Sequence, residues 1–338
     1  MTEHDPFSTL LLMAGGYCLP RCLHVAADLG VADVLGDAPM TAADLAVAVG
    51  TQPDALGRVL RLLAAHGVFE SREGMFLHSP ASRLLRADHP QSMRPLVRMF
   101  GLDVNWATYG ELGHSVRTGL PAGDRVIPGG FWSHFAEHPE EGRIFNEAMT
   151  AKARGQVAGV VAAYDFSGFE LIGDIGGGRG HLLRAVLDRA PAARGVLFDL
   201  PHVIGEATDL ASERLMVLAG DFFRDELPAC DAYLLMEVIH DWGDEESAAI
   251  LKAVRRAARP GAKLLLIETI VPDGPGPDWS KMLDIHMLTL LGGKQRTRGE
   301  YGELLESAGF SLLRQIDTSG GVSILEAASS LQHAPDRE

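Results

Sequence analysis

One stretch of the sequence combines residue types and spacing suited to gripping a small polar ligand. In Leu171-Ile172-Gly173-Asp174-Ile175-Gly176-Gly177-Gly178-Arg179-Gly180 an apolar run meets an acid and then a set of glycines. This reads as a strand, a tight turn and the start of a helix. Glycine lets such a turn adopt positive φ and lets its backbone approach a ligand closely. The dinucleotide fingerprint G-x-G-x-x-G/A, counted from Gly176, puts His181 where a small residue is required. That disfavours a nicotinamide-linked oxidoreductase. The order D-x-G-x-G-x-G, opening at Asp174, suits a ligand without phosphates. Asp199 ends the run Gly195-Val196-Leu197-Phe198-Asp199, where a carboxylate can accept both hydroxyls of a ribose. Asp221 lies in Ala219-Gly220-Asp221-Phe222-Phe223, where it can accept an adenine amino group while Phe222 packs on the ring. Each acid alone reads as a cap or turn residue. Three acids after three successive strands share one sheet edge, the carboxyl edge at which open α/β folds bind ligands. The candidate cofactor residues are therefore Asp174, Gly176, Gly178, Asp199, Asp221 and Phe222.

A second group offers proton chemistry. Val238-Ile239-His240-Asp241-Trp242 follows a fourth apolar run, and Glu268 closes a fifth, Leu265-Leu266-Ile267-Glu268-Thr269. Imidazole titrates near neutral pH, so His240 can serve as a general base, or it can be a polar residue on the rim. Carboxylates commonly orient histidine bases, and Glu268 is placed to do so. Asp241 is either a group behind the histidine or the cap of a helix starting near Gly243. Asp244 and Glu245 in that helix's first turn favour the cap. No HExxH motif and no Cys/His cluster at ligand spacing is present, so no metal is expected. Cys18, Cys22 and Cys230 form neither a CxxC pair nor a disulfide framework.

The elements that must position these groups follow from the apolar pattern. Alternating strand and helix signals from about residue 165 predict a mostly parallel sheet. Strands are expected at 171–175, 196–200, 215–219, 231–238, 263–269, 310–317 and 321–327, with helices at 180–190, 244–258 and 299–308. The last two strands are joined by Ser319-Gly320-Gly321, too short for a crossover, and should form an antiparallel pair at the edge. Earlier in the chain, Leu19, Leu23, Ala26, Ala27 and Val31 fall at helical spacing. Thr41 caps a short helix, and a further helix carries Val59, Leu60, Leu62 and Leu63 into a core. Residues 67–77 alternate around Glu73-Gly74 as a small hairpin. Helix, helix, helix, hairpin is a winged-helix order. The expected division is 1–100 winged helix, 101–160 helical linker and 161–338 cofactor domain. Trp106, Tyr109, Phe131, Trp132, Phe135, Phe145 and Met149 in the linker are either core or the lining of an apolar pocket.

Charge narrows the partners. The 338 residues carry a formal charge of −15, which argues against a nucleic-acid binder and a polybasic membrane anchor. Residues 1–100 hold eight arginines against ten acids, a poor endowment for a DNA-reading winged helix. Glu3 and Asp5 precede the short apolar run 10–14, unlike a signal peptide, and no run approaches a membrane span. A cytoplasmic protein is expected.

Six segments in order now carry a resemblance. They are Phe145-Asn146-Glu147-Ala148-Met149, the Asp174 glycine loop, Phe198-Asp199-Leu200-Pro201, Gly220-Asp221-Phe222-Phe223, His240-Asp241-Trp242 and Gly292-Gly293-Lys294-Gln295-Arg296-Thr297. Together they resemble the class I S-adenosylmethionine-dependent methyltransferases. More narrowly they resemble the caffeic-acid-type small-molecule O-methyltransferases and the bacterial relatives that tailor aromatic polyketides, over nearly the whole chain. The resemblance implies a Rossmann-like seven-stranded α/β sheet with an N-terminal winged-helix dimerisation domain. It also implies S-adenosylmethionine as cofactor, an aromatic small-molecule substrate methylated on a phenolic hydroxyl, and a homodimer whose second chain helps close the pocket. His240 matches the family's general base, and Glu268 one of two acids that flank it in the plant enzymes. Gln295 stands where the second acid belongs; it can orient the ring but cannot stabilise imidazolium by charge. Phe145, Met149 and Met287 match substrate-pocket walls, with core packing as the alternative. His286 has no place in the pattern. Metal-dependent catechol methyltransferases are a poor model. Some relatives decarboxylate or hydroxylate, and others methylate nitrogen or carbon; Gln295 leaves those alternatives open.

Overall fold

The computed structural model describes residues 5–205 and 207–329, and the chain divides into two compact units. The first comprises residues up to Ala107 together with Trp132–Lys152. Its helices include Pro6–Ala14, Cys18–Asp28, Ala42–Val49 and Pro53–Ala65. Strand β1 (Met40–Thr41) pairs with β3 (Met75–His78), which pairs in turn with β2 (Phe69–Arg72), all antiparallel. The hairpin turn is Glu73-Gly74, with φ of 52° and 80°. Positive φ at both central residues matches the twist of a two-residue hairpin, as the sequence suggested. Thr41 accepts the Asp44 amide at 3.1 Å, capping the helix that follows. Leu56, Leu60 and Leu63 form the buried stripe of Pro53–Ala65, while Val59 and Leu62 are only half-buried at its margin.

The second unit comprises Thr108–Phe131 and the chain from Ala153 onward. The segment 101–160, expected as one linker, is thus divided between the two units. Strands β4 (Leu171–Ile175), β5 (Arg194–Asp199), β6 (Leu215–Ala219), β7 (Ala232–Met236) and β8 (Lys263–Glu268) are followed by β9 (Ile270–Val271) and β10 (Arg296–Thr297). The last strands are β11 (Phe310–Asp317) and β12 (Ser323–Ser329). The main sheet has seven strands in the order β11-β12-β8-β7-β4-β5-β6. Strands β4 to β8 run parallel, and β12 and β11 antiparallel at one edge. Side chains alternate across β8: Leu264 and Leu266 join the core on one face, Leu265 and Ile267 the core on the other. Both faces are buried under helices, which explains the near-continuous apolar runs. The chain moves outward from β4 through β5 to β6, then returns to β7 on the opposite side. That reversal creates a crevice at the carboxyl ends of β4 and β7. β7 was expected to reach Val238 but stops at Met236, because Glu237 takes φ of +52° and turns the chain out of the sheet. Among the described residues no single helix is long and apolar enough to cross a membrane.

Candidate active site

The glycine loop leaves β4 and enters the helix His181–Arg189. Gly176, Gly178 and Gly180 have φ of 69°, 58° and 65°, so the turn uses the positive-φ freedom the sequence implied. Gly177 is needed for space instead: a Cβ there would lie 2.5 Å from Cγ of Asp174. Asp174 is 1% exposed and packs against Gly177 from within. Neither of its oxygens has a hydrogen-bond partner among the described residues. Burial, with the nearby charge of Asp199, pushes its carboxyl up to about 7. Asp199 ends β5 and grips the loop: Oδ2 accepts the Gly178 amide at 2.8 Å and Oδ1 the Leu200 amide at 2.7 Å. Burial raises its carboxyl, and those two amides oppose the rise. Each oxygen keeps lone-pair capacity for a further donor.

Asp221 follows β6. Its Oδ1 accepts the Phe223 amide at 2.8 Å, and its own amide donates to Asp225 at 2.7 Å. Phe222 and Phe223 meet Trp242 edge to face, with centroids 6.0 and 4.8 Å away. This aromatic group connects the adenine-side candidates to the segment carrying His240. The structure therefore brings Asp174, Gly176, Gly178, Asp199, Asp221 and Phe222 to one edge of the sheet. The residues fit an adenosyl ligand by donor set: two carboxylates with spare acceptor capacity, an aromatic face and an open-backbone turn.

His240 sits in a short 3₁₀ turn, Ile239–Asp241, directly beyond β7 and is 5% exposed. The glycine loop is its neighbour, since a Cβ on Gly176 would lie 2.9 Å from Val238. Two groups face Nδ1: the Gln295 amide at 2.8 Å and Oε2 of Glu268 at 3.3 Å. Glu268 is fully buried, and its Oε1 accepts the Ile239 amide at 2.9 Å. On the other side of the ring, Oδ1 of Asp241 lies 3.3 Å from Nε2. Burial opposes protonation of His240, but the charges of Glu268 and Asp241 outweigh it and raise its proton affinity. Burial also raises the Glu268 carboxyl, held back by His240.

Asp241 corrects an expectation. The helix Asp244–Ala257 starts at Gly243 with no side-chain cap, so Asp241 does not cap it. The turn instead swings its carboxylate beside the histidine ring. Asp244 does not cap either; it pairs with Arg296 at 2.7 Å.

Gln295 is 2% exposed, and its backbone N–H donates to Oδ1 of Asp284 at 2.9 Å. Its segment lies against the histidine turn by backbone. The Lys294 amide donates to the His240 carbonyl at 2.9 Å, and a Cβ on Gly293 would lie 2.8 Å from the Asp241 carbonyl carbon. The parallel pair β9–β10 anchors the same segment just beyond Glu268. Sequence reading gave Arg296 and Asp284 no role, because their partners are distant in the chain. His286, also without a role, is buried, stacks on Tyr109 and bonds its hydroxyl at 3.2 Å.

Met287 is buried in the helix Trp279–Leu290 of the second unit. Phe145 and Met149 belong to the first unit, packed beside Met99, Ile144 and Ala148, with Phe145 stacked on Phe135 at 4.7 Å.

Comparison with known proteins shows the family. Residues 109–311 match the family model of the O-methyltransferase domain, and residues 11–88 that of the O-methyltransferase dimerisation domain. The chain is 41% identical to the phenazine O-methyltransferase PhzM of Lysobacter antibioticus, over 97% of this chain and 99% of that one. It is 39% identical to the 8-amino-8-demethylriboflavin N,N-dimethyltransferase of Streptomyces davaonensis, over 86% of each. The solved structure of CalO1, a methyltransferase of calicheamicin biosynthesis in its S-adenosylhomocysteine-bound form, superposes with a TM-score of 0.85 at 34% identity, covering 97% of this chain and all of the other. The chain belongs to the O-methyltransferase family and is an S-adenosylmethionine-dependent O-methyltransferase.

Proposed function

We propose that the enzyme methylates a phenolic hydroxyl of an aromatic natural product, with His240 as general base. The observation that carries this reading is the pair of groups converging on Nδ1 of a buried histidine beside the glycine loop. Oε2 of Glu268 and Oε1 of Gln295 are buried acceptors without donors among the described residues. With the Gln295 amide turned so that its oxygen faces the ring, an Nδ1–H serves both. That tautomer leaves the Nε2 lone pair free to take a proton. Once protonated, Nε2 can donate towards Asp241, and the imidazolium lies between two carboxylates.

S-adenosylmethionine, when bound, supplies a methyl group already activated on a positively charged sulfur. The protein's work is to align the acceptor and remove its proton. Asp199 would hold the cofactor's ribose hydroxyls, and Asp221 with Phe222 its adenine. Asp174 packs beneath Gly177 in the middle of the turn. Met287, buried in the helix Trp279–Leu290 of the second unit, offers an apolar wall for a flat ring. The phenazine enzyme, 41% identical, supports a polycyclic aromatic acceptor. The riboflavin-related N,N-dimethyltransferase, with Gln295 in place of an acid, gives aromatic amines as the second reading.

The enzyme also acts as a homodimer. Phe7, Leu10, Leu11, Leu12 and Met13 are exposed on the helix Pro6–Ala14, which buries no side chain of its own. A contiguous apolar surface of this kind is best covered by a second copy.

The test is a mass-spectrometric screen of phenolic and amine acceptors, followed by His240→Ala. Turnover should fall ~10²–10⁴-fold while S-adenosylhomocysteine binding, measured by calorimetry, is unchanged. Near-full activity of the variant, or methylation of amines alone, overturns the reading.

A further inference from the structure

Arg296 is 0% exposed, an unusual place for a guanidinium. Its donors are fully engaged. Nε and Nη2 bond Oδ1 of Asp244 at 3.0 and 2.7 Å, and Nη2 also reaches the Trp242 carbonyl at 3.0 Å and Oγ of Ser247 at 3.3 Å. Nη1 bonds the carbonyls of Ile239 at 3.3 Å and Lys294 at 3.1 Å. The guanidinium lies 5.9 Å from the Tyr301 ring centre. Two of these acceptors, Ile239 and Trp242, bracket His240. The turn itself contributes only the Asp241-to-Val238 and Trp242-to-Ile239 backbone bonds, at 3.3 and 3.2 Å. A buried charge is costly unless its partners are well arranged, and an apolar residue of similar volume often serves packing equally well. What an apolar residue lacks is the rigid fork that reaches several carbonyls at once.

We infer that Arg296 is the positioning residue of the catalytic turn, locking both ends of residues 239–242 so that the imidazole stays in register with Glu268 and Gln295. This rests on the reading of His240 as general base. Residues 294–296 then act together: Lys294 holds the His240 carbonyl, Gln295 the ring and Arg296 the flanking carbonyls. Arg296 touches neither the ring nor the glycine loop, so its influence on the reaction runs through His240.

The test compares Arg296→Lys and Arg296→Met in the wild-type and His240→Ala backgrounds, using the acceptor found in the screen. A misplacement of about 1 Å costs ~10²-fold in rate, so Lys should lower kcat by that order and Met by more. The KM for the methyl donor should stay within about twofold. In the His240→Ala background the Lys substitution should cost less than about twofold, because the residue it positions is gone. The ¹⁵N resonances of His240 should also shift their titration midpoint in Arg296→Lys. An equal loss in both backgrounds, or an unchanged kcat and imidazole titration, overturns the inference. If the Lys and Met variants do not fold, Asp244→Asn loosens one anchor only. A kcat loss with a shifted imidazole titration supports the inference there, and no change in either overturns it. Full activity of His240→Ala defeats the base reading instead, and the imidazole titration still tests the positioning.

Discussion

Replacing Glu268 with Gln probes the electrostatics of the site with little change of shape. Gln keeps an acceptor for the Ile239 amide now held by Oε1 at 2.9 Å. It removes the negative charge whose Oε2 lies 3.3 Å from Nδ1 of His240. Two unit charges at that separation, with an effective dielectric of about 20, interact by about 5 kcal/mol. Burial opposes the charged form of Glu268, which weakens its hold on the ring. Asp241 also remains on the other side of the ring. Half or less of the interaction is then lost, about 2 kcal/mol, or roughly 1.5 pH units. His240 has its proton affinity raised by these carboxylates, so removing one lowers it. On the proposal that His240 is the base, the neutral imidazole does the work, and the acid limb of kcat/KM must then move to lower pH. The plateau should fall as well, by ~10²-fold, because the remaining amide cannot stabilise imidazolium by charge. Gln295→Glu should move the acid limb the other way. The assay is kcat/KM from pH 5 to 10 with the acceptor found in the screen. An acid limb that stays in place in Glu268→Gln, with a plateau within twofold of wild type, refutes the assignment of Glu268 as the base's partner.

Asp199→Asn should weaken S-adenosylhomocysteine binding by about 10–100-fold in calorimetry, since one bond from an amide to a charged carboxylate is lost and a donor is set against a donor. Gly293→Ala should lower stability by about 1–3 kcal/mol and depress turnover. The added carbon would lie 2.8 Å from the Asp241 carbonyl carbon, a backbone atom with little freedom to move; thermal melts and initial rates read both effects. Leu10→Glu with Met13→Glu should convert a dimer into a monomer in sedimentation, and an unchanged dimer would assign the interface elsewhere.

The sheet was legible because its central strands are buried on both faces and leave short apolar runs bounded by turns. The central β4 falls where the sequence put it, and β8 ends one residue early; the edge strands β6 and β11 also match their expected bounds, although they are largely exposed. The error at β7 is informative. Val238 looks like more strand, but Glu237 takes positive φ and leads it and Ile239 into the turn that carries His240, where both are also buried. Apolar character reports burial and not the path that achieves it. The same limit explains the linker. Aromatic residues between 106 and 149 signal packing, yet nothing in their spacing shows that the chain passes from one unit to the other and back. Capping patterns are local and tempting, and they assigned Asp241 to a helix it does not cap. Arg296 left no local trace, because its acceptors at Ile239, Trp242 and Asp244 are more than fifty residues earlier in the chain.

Asp241 also bears on the substitution at 295. The family pattern has two acids flanking the base, and a glutamate at 295 would face Nδ1 from 2.8 Å, where Glu268 already lies 3.3 Å away. Two carboxylates competing for one N–H in a buried site repel, and one of them tends to stay protonated. Gln295 removes that conflict while keeping an oxygen for the Nδ1 proton. Asp241 places its negative charge across the ring, 3.3 Å from Nε2, where the imidazolium proton resides after transfer. The charge balance of a two-acid site is thereby retained with the acids on opposite sides of the ring. On the proposal that His240 is the base, tautomer selection falls to Glu268 and Gln295, and imidazolium stabilisation is shared between Glu268 and Asp241. On this reasoning Gln295 tunes the base and leaves methyl transfer intact.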